Sequence, residues 1–364
     1  MISRLFQFLF KNLDSLLMAC LFFALLLSLF VLYSASGQDF SRIYAQGINV
    51  LAALGVMWLA ANISPLNLER VARPLYTLGM LLLIAVALFG TISHGARRWL
   101  NLGFMQIQPS ELMRIAVPMM LAWYFASREG KTSASNFVIG GLLLAFPVAL
   151  IMKQPDLGTS LLIASSGFYV LFLAGLSWRF LLVAAASLMA LMPVFWSLLH
   201  DYQRKRIEIL FDPTQDPLGA GYHTIQAIIA IGSGGSAGKG WLNGTQTQLD
   251  FLPERTTDFI FAVFSEEFGF LGNMLLLTLF SLIIARGLVI ASQAQNTFSR
   301  LLAGSITLNF FSYAFVNMGM VSGILPVVGV PLPLISYGGT SLVTLYLGFG
   351  ILMSIHSHKK LVAT

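Results

Sequence analysis

Long apolar runs separated by short polar segments follow one another along the whole chain. The runs are continuous rather than alternating, and most approach the roughly 20 residues that a helix needs to cross the ~30 Å hydrocarbon layer of a membrane. Only helices and closed barrels satisfy every backbone group in lipid, so the pattern predicts an all-α protein with about ten transmembrane helices. The predicted spans are 15–34, 43–63, 74–92, 110–126, 136–152, 157–175, 178–199, 259–285, 301–320 and 340–354.

The composition agrees with an integral membrane protein, since 57% of the 364 residues are hydrophobic and only 10% are charged. Cys20 is the single cysteine, which excludes a disulfide framework and a cysteine zinc site. The chain has a net charge of +6. A basic excess is usual in cytoplasmic membrane loops, and it also suits a phosphate-bearing substrate. Lys and Arg residues of the termini and short loops concentrate on the side of the membrane that holds the N-terminus. Because such loops are usually cytoplasmic, we expect both termini in the cytoplasm.

We interpret residues 1–364 as one membrane domain with a long extracytoplasmic loop, 200–258, between the seventh and eighth spans. The segment 321–339 on the same face is uncharged and rich in Pro and Gly, so we expect it to dip into the outer leaflet while buried in protein. The glycine-rich segment 232–240 departs from the phosphate-loop pattern. Plain flexibility is its simplest interpretation, and an approach to a ligand, with Lys239 as a point charge, stays open.

The boundary between the long loop and the eighth span places an acid where water gives way to membrane. Polar PERTTD ends at Asp258, and apolar FIF follows directly. Thr257 or Asp258 can cap the following helix, since short polar side chains bind its free N–H groups and negative charge suits its dipole. Asp258 can also act as a general base, where a lipid-borne substrate would present its polar head. A helix end would lower the pKa of this acid and an anionic substrate would raise it, so both roles stay open.

Two further motifs carry ionisable groups at predicted span boundaries. In QPSELMR, Ser110 suits a helix N-cap, while Glu111 and Arg114, spaced i,i+3, can pair within the membrane-embedded start of the fourth span. Charges at such depth are costly and turn inward, so this pair is either structural or functional. In KQPDLGT, Asp156 suits the start of a helix, and Lys153 can equally contact a phosphate.

Five segments of the chain together carry a family resemblance. They are QPSEL, KQPDLGTSLL, AIGSGGSAGKGW, FLPERTTDFIFAVFSEEFG and GILPVVGVPLPLISYGGTS. In this order they resemble the SEDS family (shape, elongation, division and sporulation proteins), most closely its rod-shape branch. The resemblance covers nearly the whole chain. It implies a multi-pass enzyme of the bacterial cytoplasmic (inner) membrane, with its active site facing the periplasm, that polymerises lipid II during cell-wall elongation and rod-shape maintenance.

The resemblance also implies roles for particular residues. Asp258 falls on the family's essential aspartate, which takes the proton from an attacking sugar hydroxyl while undecaprenyl pyrophosphate leaves. That leaving group gains charge, so cations on the outer side would lower the barrier. The candidate cations are Arg97, Arg98, Arg114, Lys153, Lys239 and Arg255, and the supporting residues are Glu111, Asp156, Ser336 and Tyr337.

Family membership further implies partners and allows a cofactor. We expect lipid II and the growing lipid-linked glycan as substrates, a class B penicillin-binding protein (a transpeptidase) and other elongation-complex membrane proteins as partners, and no nucleic acid. A divalent cation, Mg²⁺ or Mn²⁺, is the one cofactor expected, without an assigned ligand. Two alternatives remain: a flippase or transporter of lipid-linked sugars with Glu111, Arg114 and Asp156 as a polar path, and a non-catalytic scaffold for a transpeptidase.

Overall fold

The protein is helical along most of its length in a computed structural model, which describes residues 12–93, 96–101, 106–129, 133–192, 197, 201–215, 220–249, 251–252 and 254–358. In chain order the helices are α1 (Ser15–Ala35), α2 (Phe40–Ala61), α3 (Pro65–Phe89), α4 (Pro109–Ala126), α5 (Ala134–Met152), α6 (Leu157–Leu173), α7 (Trp178–Ala190), α8 (Asp201–Phe211), α9 (Ala220–Ser233), α10 (Thr245–Gln248), α11 (Ile260–Ser292), α12 (Thr297–Val321) and α13 (Thr340–Ser357). A single 3₁₀ turn, Pro213–Gln215, follows α8.

Each of the ten predicted spans coincides with one of these helices, and the prediction of a polytopic helical membrane protein is confirmed. Within the described part of the chain, α1, α2, α3, α5, α11, α12 and α13 are long and apolar enough to cross a bilayer. Helices α4, α6 and α7 are more polar or shorter. The number of crossings and the cytoplasmic placement of the termini therefore remain predictions.

Helix α1 shows how one apolar sequence serves both the protein core and the lipid. Leu17 and Leu32 are fully buried, whereas Phe22 and Leu26 are more than half exposed on another face of the same helix. A soluble protein would not expose such a surface along a whole helix, but a bilayer favours it. The exposed apolar faces of the other long helices have the same explanation.

The centre of the bundle is α12, which packs against α4, α6, α11 and α13, while α13 packs along α2. Small residues allow the closest of these contacts. A Cβ built on Gly287 of α11 would lie 2.3 Å from Thr307 Oγ1 of α12, and one on Gly350 of α13 would lie 2.4 Å from the Met57 carbonyl of α2. Larger residues at either glycine would push the helices apart.

The connection between α3 and α4 contains a small sheet that the sequence did not predict. Strands β1 (Thr91–Ser93), β2 (Ala96–Asn101) and β3 (Gln106–Ile107) pair antiparallel in the order β1-β2-β3. The third predicted span consequently ends in α3 at Phe89 rather than at 92. Arg97 and Arg98 belong to the central strand.

The glycine-rich segment between α9 and α10 is packed into a break in α11. The helix is interrupted at Gly269, whose φ of 62° and ψ of −159° are not helical. The Phe270 N–H, freed by this break, donates to the Gly235 carbonyl at 2.9 Å. A Cβ on Gly238 would lie only 2.1 Å from the Glu267 carbonyl. Our prediction of plain flexibility is therefore wrong, because these glycines allow two backbones to approach each other.

The two predicted helix caps have different outcomes. Asp156 caps α6 as expected, accepting a hydrogen bond from the Thr159 N–H at 3.2 Å. Helix α4, however, begins at Pro109, and no side chain caps it. The prediction that Ser110 is an N-cap is therefore wrong, since proline already suits the first helical position and places Ser110 inside the helix.

Candidate active site

Asp258 ends a tight turn immediately before α11. The turn begins at Glu254, whose carbonyl accepts hydrogen bonds from the N–H groups of Thr257 at 3.1 Å and Phe259 at 3.2 Å. The Thr257 hydroxyl donates to the Glu254 carboxylate at 2.9 Å. Phe259, not Asp258, occupies the N-cap position of α11, and no side chain caps that helix. The capping interpretation of Asp258 is therefore wrong.

The carboxylate of Asp258 is partly buried, and no residue of the described chain donates a hydrogen bond to it or pairs with it. Burial, and to a smaller extent the nearby negative charge of Glu254, together raise the pKa of Asp258 to about 6. The carboxylate is thus mostly ionised at neutral pH yet basic enough to accept a proton, as a general base requires.

The segment that joins α12 to α13 holds the backbone of this turn. The Ser336 hydroxyl donates to the Thr257 carbonyl at 2.6 Å and accepts from the Leu332 N–H at 2.7 Å. The Tyr337 N–H donates to the Thr256 carbonyl at 2.8 Å. Ser336 therefore supports the turn through its side chain, and Tyr337 supports it through its backbone.

Asn317 of α12 connects the same two segments from within the core. Its fully buried side-chain amide donates to the Asp258 carbonyl at 2.8 Å and to the Val330 carbonyl at 2.7 Å. Sequence reasoning missed this residue. An amide inside an apolar span was the available signal, since such groups need a partner in the membrane.

The chain segments around 158 and 329 bring a second motif to Asp258. A Cβ on Gly329, whose φ is +73°, would lie 3.4 Å from Asp258 Oδ2, so the carboxylate faces this backbone. On the other side of the segment, a Cβ on Gly158 of α6 would lie 2.8 Å from the Val328 carbonyl. The KQPDLGT motif therefore sits one layer behind the segment that Asp258 faces.

Asp156 connects the QPSELMR motif at the start of α4 with the KQPDLGT motif at the start of α6. Besides capping α6, its carboxylate accepts a hydrogen bond from the Gln108 side-chain amide at 3.3 Å. Arg98 Nε lies 3.9 Å from Asp156 Oδ2 and donates to the Gln154 carbonyl at 3.3 Å. Arg98 is thus attached to the sheet on one side and to the KQPD turn on the other.

Glu111 and Arg114 form the salt bridge expected from their spacing, at 2.8 Å, and Arg114 is almost fully buried. The guanidinium also lies over the Tyr313 ring, 5.0 Å from its centroid. Arg114 and Ser336 both line one small cavity within the bundle. The cavity therefore connects the predicted ion pair with the segment that holds the Asp258 turn.

Lys239 is committed to a buried acid. Its ammonium lies 2.7 Å from the Glu266 carboxylate and 2.7 Å from the Thr245 hydroxyl. Glu266 is fully buried and also accepts from the Gln246 N–H at 3.1 Å. These contacts attach the glycine-rich segment and α10 to α11. A role of Lys239 as a pyrophosphate ligand stays a prediction, and its neighbours favour an anchoring role.

The remaining candidate cations occupy different positions. Arg255 lies in the Asp258 turn itself, and its side chain donates to the Thr247 carbonyl of α10. Lys153 is exposed at the end of α5. The side chain of Arg97 lies outside the described residues. The candidate cations whose side chains the structure describes thus contact different parts of the chain.

One cation at the turn was not among the candidates. Arg42, in the first turn of α2, donates from Nη1 to the Thr256 hydroxyl at 3.0 Å. The sequence separates the two residues by more than two hundred positions, and no local pattern could have joined them.

The described residues contain no group of three or more His, Cys, Asp and Glu side chains that could hold a metal ion. Mg²⁺ commonly takes only one or two protein carboxylates and completes its shell with water and substrate phosphates. The free carboxylate of Asp258, with Glu254 nearby, fits that limited requirement. The site is therefore compatible with a cation shared with a phosphate-bearing substrate.

The fold and the site together define a class: a polytopic helical membrane protein with a partly buried carboxylate, unpaired among the described residues, just before a membrane-spanning helix. The FtsW, RodA and SpoVE family, described as cell cycle proteins, matches residues 10–361. The chain belongs to this family.

Named relatives and solved structures resemble the chain over nearly its whole length. Peptidoglycan glycosyltransferase MrdB of Escherichia coli K12 is 52% identical, covering 97% of this chain and 95% of the relative. The protein of the same name in Helicobacter pylori 26695 is 38% identical, over 85% and 82%. A chain from "Structural coordination of polymerization and crosslinking by a peptidoglycan synthase complex" has a TM-score of 0.84 at 33% identity, covering 94% and 97%. Rod shape determining protein RodA of Thermus thermophilus has a TM-score of 0.72 at 29% identity, covering 95% and 97%.

Proposed function

We propose that this peptidoglycan glycosyltransferase polymerises lipid II with Asp258 as the general base. The observation that carries the proposal is the Asp258 carboxylate itself, which has no bonding partner among the described residues and a pKa of about 6. The turn that bears it is held by α2, by α12 and by the segment before α13. A base fixed in this way is preorganised for proton transfer.

The reaction is a displacement at the anomeric carbon of the donor. The 4-hydroxyl of the acceptor GlcNAc forms the new bond to C1 of the donor MurNAc, and its proton passes to Asp258. The bond from C1 to the pyrophosphate oxygen breaks, and its electron pair leaves with undecaprenyl pyrophosphate. In a single displacement the nucleophile and the leaving group occupy opposite faces of the sugar. The base and the cations that receive the pyrophosphate are therefore expected on different walls of the site.

A divalent cation, Mg²⁺ or Mn²⁺, would be held by Asp258 or Glu254 together with phosphate oxygens of a bound substrate, whose charge it would neutralise. The protein's own contribution is to keep Asp258 in place through Asn317 and Ser336. Stabilisation of the leaving group by Arg255 or Lys153 remains part of the proposal.

We place the active site on the periplasmic face of the bacterial inner membrane, where the lipid II head group would meet the turn before α11. The similarity to a chain from a peptidoglycan synthase complex supports work beside a class B penicillin-binding protein, the crosslinking partner, within the elongation machinery. The exposed apolar faces of the long helices give such membrane partners a surface to contact.

The test is polymerisation of labelled lipid II by purified protein, with and without its transpeptidase partner. The wild-type protein should form glycan chains and Asp258→Asn should not, because the amide keeps the shape of the side chain but cannot accept the proton. Glu69→Gln, on a helix surface away from the turn, is the matched control and should keep full activity. Polymer from Asp258→Asn at the wild-type rate would exclude Asp258 as the base. Transport of lipid II without polymer would favour the flippase.

A further inference from the structure

We propose that Arg42, at the start of α2, binds the pyrophosphate of the lipid-linked donor at the rim of the turn that carries Asp258. The inference rests on the proposed function and assigns a residue to its leaving-group side. Three observations carry it: the position of Arg42 at the turn, the neutral partner that it contacts, and the pairing of other cations with acids.

The position of Arg42 is fixed by the local structure of α2. Asp39 caps this helix, accepting from the Ser41 N–H at 2.8 Å, so Arg42 lies in the first turn with its side chain exposed. Its Nη1 reaches the hydroxyl of Thr256, a buried residue two positions before Asp258. The charge is thereby held at the rim of the same turn that carries the base.

The contact with Thr256 leaves the charge of Arg42 available. A hydroxyl does not neutralise a guanidinium, and an arginine has five N–H donors in a planar fork that matches phosphate oxygens. Asp39 attracts Arg42 weakly, but it is fully exposed, and water screens such surface pairs. Arg42 can therefore donate to a phosphate group without giving up a buried partner.

Three of the earlier candidates are in the opposite situation. Arg114, Lys239 and Arg98 each have a carboxylate within 4 Å, and the acids that face Arg114 and Lys239 are buried in the bundle. Turning either side chain toward a substrate would leave a buried carboxylate without its cation, which costs several kcal/mol. These charges are better suited to holding the fold than to receiving a leaving group.

Two different segments contact the turn beside the base and beside the guanidinium. Asp258 Oδ2 faces Gly329 in the segment before α13, whereas Arg42 reaches the turn from α2. The base and the guanidinium therefore have different neighbouring segments around one turn.

The experiment measures inhibition of lipid II polymerisation by inorganic pyrophosphate in wild type, Arg42→Gln and Arg42→Lys. Glutamine keeps a donor for Thr256 but removes the charge, so we expect the KM for lipid II and the inhibition constant of pyrophosphate to rise about tenfold each. Lysine keeps the charge without the fork and should give intermediate values. Arg70→Gln is the control and should match wild type, because Arg70 is exposed near the start of α3.

Two further measurements separate binding from a structural role. Arg42 is exposed, so the unfolding midpoints of its variants should stay close to that of wild type. Thr256→Val removes the contact that positions Arg42 but keeps its charge, so it should raise the pyrophosphate inhibition constant by less than Arg42→Gln does. Unchanged pyrophosphate inhibition in Arg42→Gln, lowered midpoints in both Arg42 variants, or an equal effect of Thr256→Val would each overturn the proposal. Wild-type protein that forms no polymer would instead refute the proposed function.

Discussion

Replacing Asp258 by Asn should stabilise the protein while it abolishes polymerisation. The carboxylate is charged at neutral pH, partly buried, and without a donor from the described chain, so the fold maintains an ionised group in an unfavourable environment. Asparagine has nearly the same shape and carries no charge. The variant removes the cost of desolvation and leaves the surrounding hydrogen bonds, which involve the backbone of residue 258, in place.

The magnitude follows from the pKa of Asp258, which rises from 3.8 in an unfolded chain to about 6 in the folded protein. A rise of this size corresponds to about 3 kcal/mol, and solvent access at the partly exposed group reduces it to about 1–3 kcal/mol. A carboxyl group whose folded pKa is raised destabilises the fold fully above about pH 6 and not at all below 3.8. The gain from Asp258→Asn should therefore appear at neutral pH and vanish in acid.

The assay compares the unfolding midpoints of wild type, Asp258→Asn and the control Glu69→Gln in detergent micelles, followed by tryptophan fluorescence. Measurements at about pH 7.5 and about pH 4 lie on the two sides of the transition. We expect a higher midpoint for Asp258→Asn at the first pH only, and no change for Glu69→Gln at either. An Asp258→Asn protein that is equally or less stable at about pH 7.5, or one that gains as much in acid, would refute the reasoning.

Three further predictions test the surroundings of the base. The kcat/KM for lipid II should fall as the pH drops through about 6, where Asp258 takes up a proton. Glu254→Gln should move the midpoint of this fall to lower pH, and pH profiles of both proteins measure the shift. Lys239→Met should lower the free energy of unfolding by about 3 kcal/mol, because it leaves Glu266 buried without its cation, and adding Glu266→Gln should restore part of the loss in denaturation experiments. Gly158→Ala should reduce polymerisation by about tenfold or more, because its Cβ would press on the Val328 carbonyl behind the backbone that Asp258 faces. Gly141→Ala is the control, since its Cβ meets no neighbouring atom, and it should be neutral.

Much of the fold was predictable because its signals are local. Ten apolar runs correspond to helices, since hydrophobic length alone specifies a membrane helix. The Glu111–Arg114 pair and the Asp156 cap follow from spacings of three residues or fewer. These elements are specified by neighbours in the sequence, so the pattern was sufficient.

The parts that were not predictable depend on contacts between distant segments. Apolar periodicity continues through Gly269, and the break in α11 exists because the segment around Gly235 supplies the missing hydrogen bonds. Likewise, the sequence presents Lys239 as a free cation near a flexible loop. Only the packing of that loop on α11 shows that Glu266 holds it. The contact of Arg42 with the Asp258 turn has the same long-range origin.

The partners of three other acids in the bundle show how Asp258 differs from them. Among the described residues, Asp14 is bound by Arg286, Glu111 by Arg114 and Glu266 by Lys239. Each of these carboxylates has a cation beside it, which favours its charged form. Asp258 has no such cation, although its backbone is held more firmly than that of a surface loop. Burial of this carboxylate raises its pKa and reduces the stability of the fold, and its oxygens stay open to a substrate proton, as expected of a residue retained for reaction rather than for folding.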